Sequence, residues 1–212
     1  MKKEQSEIKV EKIEDMDHLK EGANEFVKLI FSMKEKLESP NVTIVFVSGM
    51  VGYSCQAALL EKKQSYNLVK TKNGKNYIFG DSLNYYLIES KNSFYKMLMG
   101  HFHNKLPELD LIKIEPFLTN VASNVGNEKY LIKGVFNPEK IFDFDFYRST
   151  WNKFKETLNK YCKTADEWPI LFSAALNHLL EIIDSIYGRD CYIDFTSIAL
   201  ENAIYVSKIS QV

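Results

Sequence analysis

Apolar residues recur at alternating intervals of four and three from Leu19 through Ala23, Phe26, Ile30 and Met33 to Leu37. Only a helix of about 3.6 residues per turn sets such positions side by side. The same period returns in Tyr147, Trp151, Phe154, Leu158 and Tyr161, and again in Phe172, Leu176, Leu179, Ile183 and Ile186. A stripe of this kind must be buried against another element, so the chain is expected to fold as helices around a shared core.

The first helix is read from about Asp15 to Glu38, behind a charged and aperiodic tail over residues 1–14. Ser39-Pro40 ends it, because proline restricts the residue before it and donates no hydrogen bond. The next stretch, NVTIVFVSGMVGYSCQAALLEKK, is ambiguous. Val42 to Val47 is continuously apolar and suits a buried strand, followed by a helix from Gly52 to Lys63 with Ser54 as its N-cap. Alternatively the whole run is one buried helix, with Gly49 and Gly52 letting a neighbour approach closely. Periodicity does not separate a short buried strand from a buried helix; the reading leans towards helix.

Tyr66–Thr71 and Lys75–Phe79 flank Asn73-Gly74, a pair that favours the positive φ angles of a two-residue type I′ turn. A β-hairpin is therefore expected over residues 66–79. Gly80-Asp81-Ser82 then offers a cap for a short helix through Ile88. Further helices are expected from Ser93 to His103 and from Leu106 to Val125, the latter disturbed at Pro116 and stopped by Gly126. Residues 127–142 read as an irregular connection. Asp166 and Pro169 start the helix that carries the Phe172–Ile186 stripe, Gly188 stops it, and Asp194 or Thr196 caps a last helix to about Lys208. No repeat or long linker divides the 212 residues. The fold class is thus α+β, mainly α: a multi-helix single domain over residues 15–212 with one small hairpin.

Composition removes several functions. With 27 basic and 28 acidic residues the net charge is −1, which leaves no positive field for a polyphosphate backbone. Three cysteines, Cys55, Cys162 and Cys191, are an odd number without framework spacing, as expected of reduced cytoplasmic thiols. The N-terminus lacks the apolar core of a signal peptide, and the apolar run Val42–Met50 is too short to span a bilayer. Gly49-x-x-Gly52 has neither the length nor the Lys-Ser/Thr of a phosphate loop.

The segments Gly52-Tyr53-Ser54-Cys55-Gln56-Ala57-Ala58, Phe79-Gly80-Asp81-Ser82-Leu83-Asn84, Val121–Gly126, Tyr161-Cys162 with Trp168-Pro169, and Ala203-Ile204 with Ser207-Lys208 occur in a familiar order. Together they resemble a family of uncharacterised bacterial proteins of about this length. The resemblance covers most of the chain from residue 40 onward. It implies a bacterial cytosolic protein and transfers no catalytic residue.

Cys55 is the sharpest candidate for chemistry. With Ser54 as N-cap its thiol would lie in a first helical turn, where free N–H groups and the dipole favour thiolate. A base is also required, and His101, His103 and His178 are the histidines expected within the fold. The competing reading is a buried thiol among Val51, Ala57, Ala58 and Leu59, and it is preferred. His101-Phe102-His103 would share a face only on a strand; at a helix end the two rings diverge, and no metal is expected. Asp81 and Asn84 could face a ligand at the hairpin mouth with Tyr53 and Gln56, although capping explains Asp81 equally. Ile141–Tyr147 alternates aromatic and acidic residues and either docks a partner or plugs the core. Trp168 reads as a core lid.

The expected function is a non-enzymatic interaction or ligand-binding protein of the cytoplasm without a cofactor. It would dock a protein partner or self-associate through its C-terminal helices, with no nucleic acid or membrane partner. The alternative is a small cysteine-dependent hydrolase or transferase using Cys55 with a histidine.

Overall fold

The computed structural model describes residues 17–33, 37, 39–71, 74–127, 129–131 and 144–210. Among these, seven helices surround a core and one antiparallel hairpin lies on its side. They are α1 (Asp17–Ser32), α2 (Pro40–Glu61), β1 (Asn67–Lys70), β2 (Asn76–Phe79), α3 (Phe94–Lys105), α4 (Glu115–Asn124), α5 (Phe144–Tyr161), α6 (Glu167–Tyr187) and α7 (Arg189–Lys208). A helical turn over Asp81–Asn84 and a π-helical turn over Tyr85–Glu89 follow the hairpin. The mainly helical α+β architecture is as expected.

The ambiguous stretch is one helix. Ser39 is the N-cap of α2 and Pro40 opens it: the Ser39 hydroxyl accepts from Val42 N–H at 3.3 Å. Proline fits a first helical turn because its missing N–H would be unpaired there anyway. Ser39-Pro40 therefore starts the second helix rather than merely ending the first, and Ser54 is not a cap. Its hydroxyl lies mid-helix and donates to Val51 O at 2.6 Å. From Ile44 to Gln56 every residue of α2 is buried. Each fully buried large aliphatic or aromatic side chain here contributes roughly 1.5–3 kcal/mol. A helix apolar on every side has no stripe for periodicity to detect.

Helix α2 is thus the axis of the fold, packed most extensively on α7 and then on α6. Gly52 makes the α2–α7 approach possible, since a Cβ there would lie 2.3 Å from Ala203 O and 2.8 Å from Ser207 N. Gly49 leaves the space that the Tyr147 ring fills from α5. Two buried amides cross the same seam. Asn202 Nδ2 donates to Val45 O at 2.6 Å and to Ser48 Oγ at 2.9 Å. Gln56 Nε2 donates to the carbonyls of Val206 at 3.3 Å, Ser207 at 2.6 Å and Ile209 at the exit of α7. Those carbonyls lie at the end of a helix, where backbone acceptors run short of helical donors, and the amide supplies one.

The amphipathic stripes are buried largely as read. Leu19, Ala23, Phe26 and Ile30 are buried on α1, and Phe26 meets Phe154 of α5 and Phe172 of α6 with ring centroids 4.6 and 4.5 Å away. Tyr147, Phe154 and Leu158 of α5 and Phe172, Leu176, Leu179 and Ile183 of α6 join them. Ile186 does not: it is 65% exposed. Phe146 and Tyr147 stack near Phe46, so this end of the aromatic–acidic segment plugs the core, while residues 141–143 lie outside the described set. Trp168 closes on Trp151 at 5.5 Å, as a lid.

The hairpin pairs Asn67 with Phe79 through Lys70 with Asn76. Its closing bonds, Thr71 N–H to Lys75 O and Gly74 N–H to Thr71 O, belong to a three-residue connection rather than a two-residue one. Gly74 takes the left-handed position at φ +84°; Asn73 lies outside the described residues. β2 buries Tyr77 and Ile78, and Tyr77 also bridges to Ile209.

Other boundaries moved. Residues 106–114 are not helical, and α4 begins at Glu115 with Pro116 in its first turn instead of interrupting it. α7 begins at Arg189, directly after Gly188 at φ +84°, so neither Asp194 nor Thr196 is its cap. Gly80, not Asp81 or Ser82, precedes the turn after the hairpin, without a side-chain cap. Two helices, α2 and α6, are long and apolar enough to cross a membrane by length and composition, which Val42–Met50 alone is not. In α2, 83% of that apolar window is buried inside the fold, against 44% in α6. The expected tail over residues 1–14 and most of the 127–142 connection lie outside the described residues.

Candidate functional site

The residues singled out on α2 are packed into the core. Cys55 sits in the middle of the helix, fully buried, so no N-terminal dipole acts on it. Burial pushes its thiol far above the ordinary range, opposed in part by the Lys208 ammonium. No hydrogen bond joins it to a histidine among the described residues. Gln56 is committed to the end of α7 as described above. Tyr53 packs on Trp151 with centroids 5.4 Å apart, and burial raises its hydroxyl.

None of the histidines lies on Cys55's helix. His101 on α3 places Nδ1 3.9 Å from Glu181 Oε1, with its ring 6.2 Å from that of Tyr192. Burial lowers its pKa, while the Glu181 carboxylate opposes that shift. His103 is exposed near the end of α3, and the two rings diverge as i and i+2 must on a helix. His178 is half-buried on α6. No group of three His, Cys, Asp or Glu among the described residues could hold a metal ion. His18 was outside the expected set; it lies on α1 with Nε2 3.3 Å from Glu167 Oε1.

Asp81 and Asn84 line none of three cavities found among the described residues. The first, of about 570 Å³, lies between His18, Tyr86, Lys91, Lys163, Asp166 and Glu167. Its carboxylates are already engaged. Asp166 accepts from the Tyr86 hydroxyl at 2.7 Å and from Lys62 Nζ at 2.5 Å, and Glu167 pairs with His18 and accepts from Lys163 N–H at 2.5 Å. Burial and the neighbouring Asp166 push the Tyr86 hydroxyl up, so it stays a donor.

The second is an apolar groove of about 220 Å³ between α1, the start of α2 and the end of α6. Ile30, Leu37, Thr43, Leu179, Ile182 and Ile183 form much of its wall, and among the described residues no charged side chain lines it. Phe31, Ile186 and Tyr187 stand 51%, 65% and 53% exposed beside it. The third, of about 730 Å³, lies where α4 crosses α7, with Glu201 in its lining.

Sequence reasoning reached none of these sites. The helical period placed Ile186 in the core, and Phe31 lies beside its own stripe, so neither stood out as exposed. Glu201 and Lys208, 5% exposed each, are buried charges whose burial depends wholly on packing against distant segments.

No family model, curated protein or solved structure matches this chain. The roles of its residues therefore rest on their own chemistry.

Proposed function

We propose that this is a non-enzymatic interaction protein that self-associates through the groove between α1, α2 and α6. The observation that carries this reading is the groove's uncharged lining among the described residues, with Phe31, Ile186 and Tyr187 exposed on the same patch. A two-fold contact needs a surface complementary to itself. A patch with both a hollow and protruding large side chains meets that need, because each copy's knob can enter the other's groove. Aromatic anchors in such a contact carry much of the binding energy.

On this reading the chain works in the bacterial cytoplasm, without a cofactor and without a nucleic-acid or membrane partner. The net charge of −1 and the enclosure of α2 support that side of it. The cysteine-dependent alternative loses its premise, since Cys55 is neither in a first turn nor reachable from solvent.

Sedimentation velocity over a wide concentration range tests the proposal. The full chain should sediment as a dimer, and Ile186→Asp with Tyr187→Asp should give a monomer with unchanged helicity and melting temperature. A chain that stays monomeric at every concentration overturns the reading, as does a dimer that both substitutions leave intact.

A further inference from the structure

On α7, Cys191, Asp194, Ile198 and Glu201 follow one another at intervals of three and four, so they share one face of the helix. Helix α4 lays Pro116, Phe117 and Asn120 across that face, and Leu131 and Asn41 complete the cavity of about 730 Å³. That volume suits a small organic molecule. Its walls are mostly apolar, with two aromatic rings, Phe117 and Phe195.

Glu201 breaks that apolar character. The residue is 5% exposed, and its oxygen Oε1 accepts from the Tyr130 hydroxyl at 2.5 Å and the Asn120 amide at 2.7 Å. Both donors are neutral, and no lysine, arginine or histidine among the described residues forms an ion pair with it. Burial together with Glu201 pushes the Tyr130 hydroxyl up, so Tyr130 holds its proton and donates it in the hydrogen bond. A buried carboxylate without a counter-charge is costly, and folded proteins ordinarily pair such a group. Here both recorded bonds fall on Oε1, and the side chain lines an open cavity.

We propose that the cavity between α4 and α7 is a binding site for a small organic cation with an apolar body. In it the ligand's ammonium or guanidinium group completes Glu201. The aromatic rings add to the preference, because a cation against a ring face is stabilised by its quadrupole. A metal ion fits the site less well. Only two carboxylates line it, one of them already bonded twice, and no three-residue ligand group exists among the described residues.

The test is calorimetric titration of the full chain with n-butylamine, phenethylamine, agmatine and choline, with 2-phenylethanol as the neutral counterpart of phenethylamine. At least one cation should bind saturably, and phenethylamine should bind at least tenfold more tightly than the alcohol. Glu201→Gln keeps an oxygen for Tyr130 and Asn120 and removes only the charge. It should weaken the amine at least tenfold while raising the melting temperature of the free protein. Ser197→Trp puts a large ring into the cavity one turn before Glu201 and should abolish binding with the fold intact. The proposal is overturned if none of the four cations binds, if amine and alcohol bind alike, or if Glu201→Gln leaves affinity unchanged or lowers the melting temperature.

Discussion

Gly52 of α2 lies so close to Ala203 of α7 that a Cβ added to the glycine would sit 2.3 Å from the alanine's carbonyl oxygen. The obstacle is backbone within a helix, which cannot rotate aside. Gly52→Ala should therefore force the two helices apart and destabilise the fold by about 3 kcal/mol, the upper end of ordinary overpacking. Gly100, whose added Cβ meets nothing within 4 Å, supplies the contrast. Gly100→Ala, at an exposed position of α3, should stabilise by up to ~1 kcal/mol. Urea unfolding of the two variants checks both signs.

Asn202 is the polar fastener of the same seam. Asn202→Ala removes both donors to Val45 O and Ser48 Oγ and leaves space behind, and should cost about 2–3 kcal/mol. A variant as stable as the parent in the same urea titration would show that the amide contributes nothing net.

Lys208 gives the stability a distinctive pH dependence. Burial lowers its pKa from 10.5 to about 8, opposed by Cys55, and its ammonium has an aromatic neighbour, Phe79 at 5.0 Å, but no ion pair among the described residues. Between these two values the unfolded chain holds the proton and the folded chain does not, so stability rises with pH across that window. Below about pH 8 the penalty is fully present. The full span corresponds to roughly 3 kcal/mol. Lys208→Met should be more stable than the parent at neutral pH and should lose this rise, measured as the difference between the two unfolding midpoints at each pH.

Thiol labelling of the native protein should resolve three classes. Cys191 is half-buried and lines the α4–α7 cavity, so it should react first. Cys162, pushed up to about 12 chiefly by burial, should follow slowly. Cys55 should react only at the rate of unfolding. A Cys55 that labels as fast as Cys191 would contradict its enclosure and revive a catalytic role.

What could be read from the chain followed the physics of each element. α1, α5 and α6 show a stripe because one face of each is wet, and apart from Ile186 their burial was legible in the stripe. α2 has no wet face through its middle, so period analysis was silent and only composition hinted at it. Ser39-Pro40 carries two meanings at once: proline both stops the helix before it and opens the one after. Pro116 was misjudged for the same reason, as a disturbance where it is a first turn. The site was less legible still. Glu201 and Lys208 look like ordinary surface charges, and only the arrival of α4 and Tyr130 over one, and of Cys55 and Phe79 near the other, makes them unusual.

The bond between Gln56 and Ser207 spans 151 positions of sequence. During synthesis α2 therefore emerges long before the helix that covers it. Until α7 has left the ribosome, a 22-residue apolar helix has no permanent neighbour on that side. Folding of this core must therefore wait until α7 has been made. In the interval α2 is the segment on which a chaperone, or aggregation, would act first.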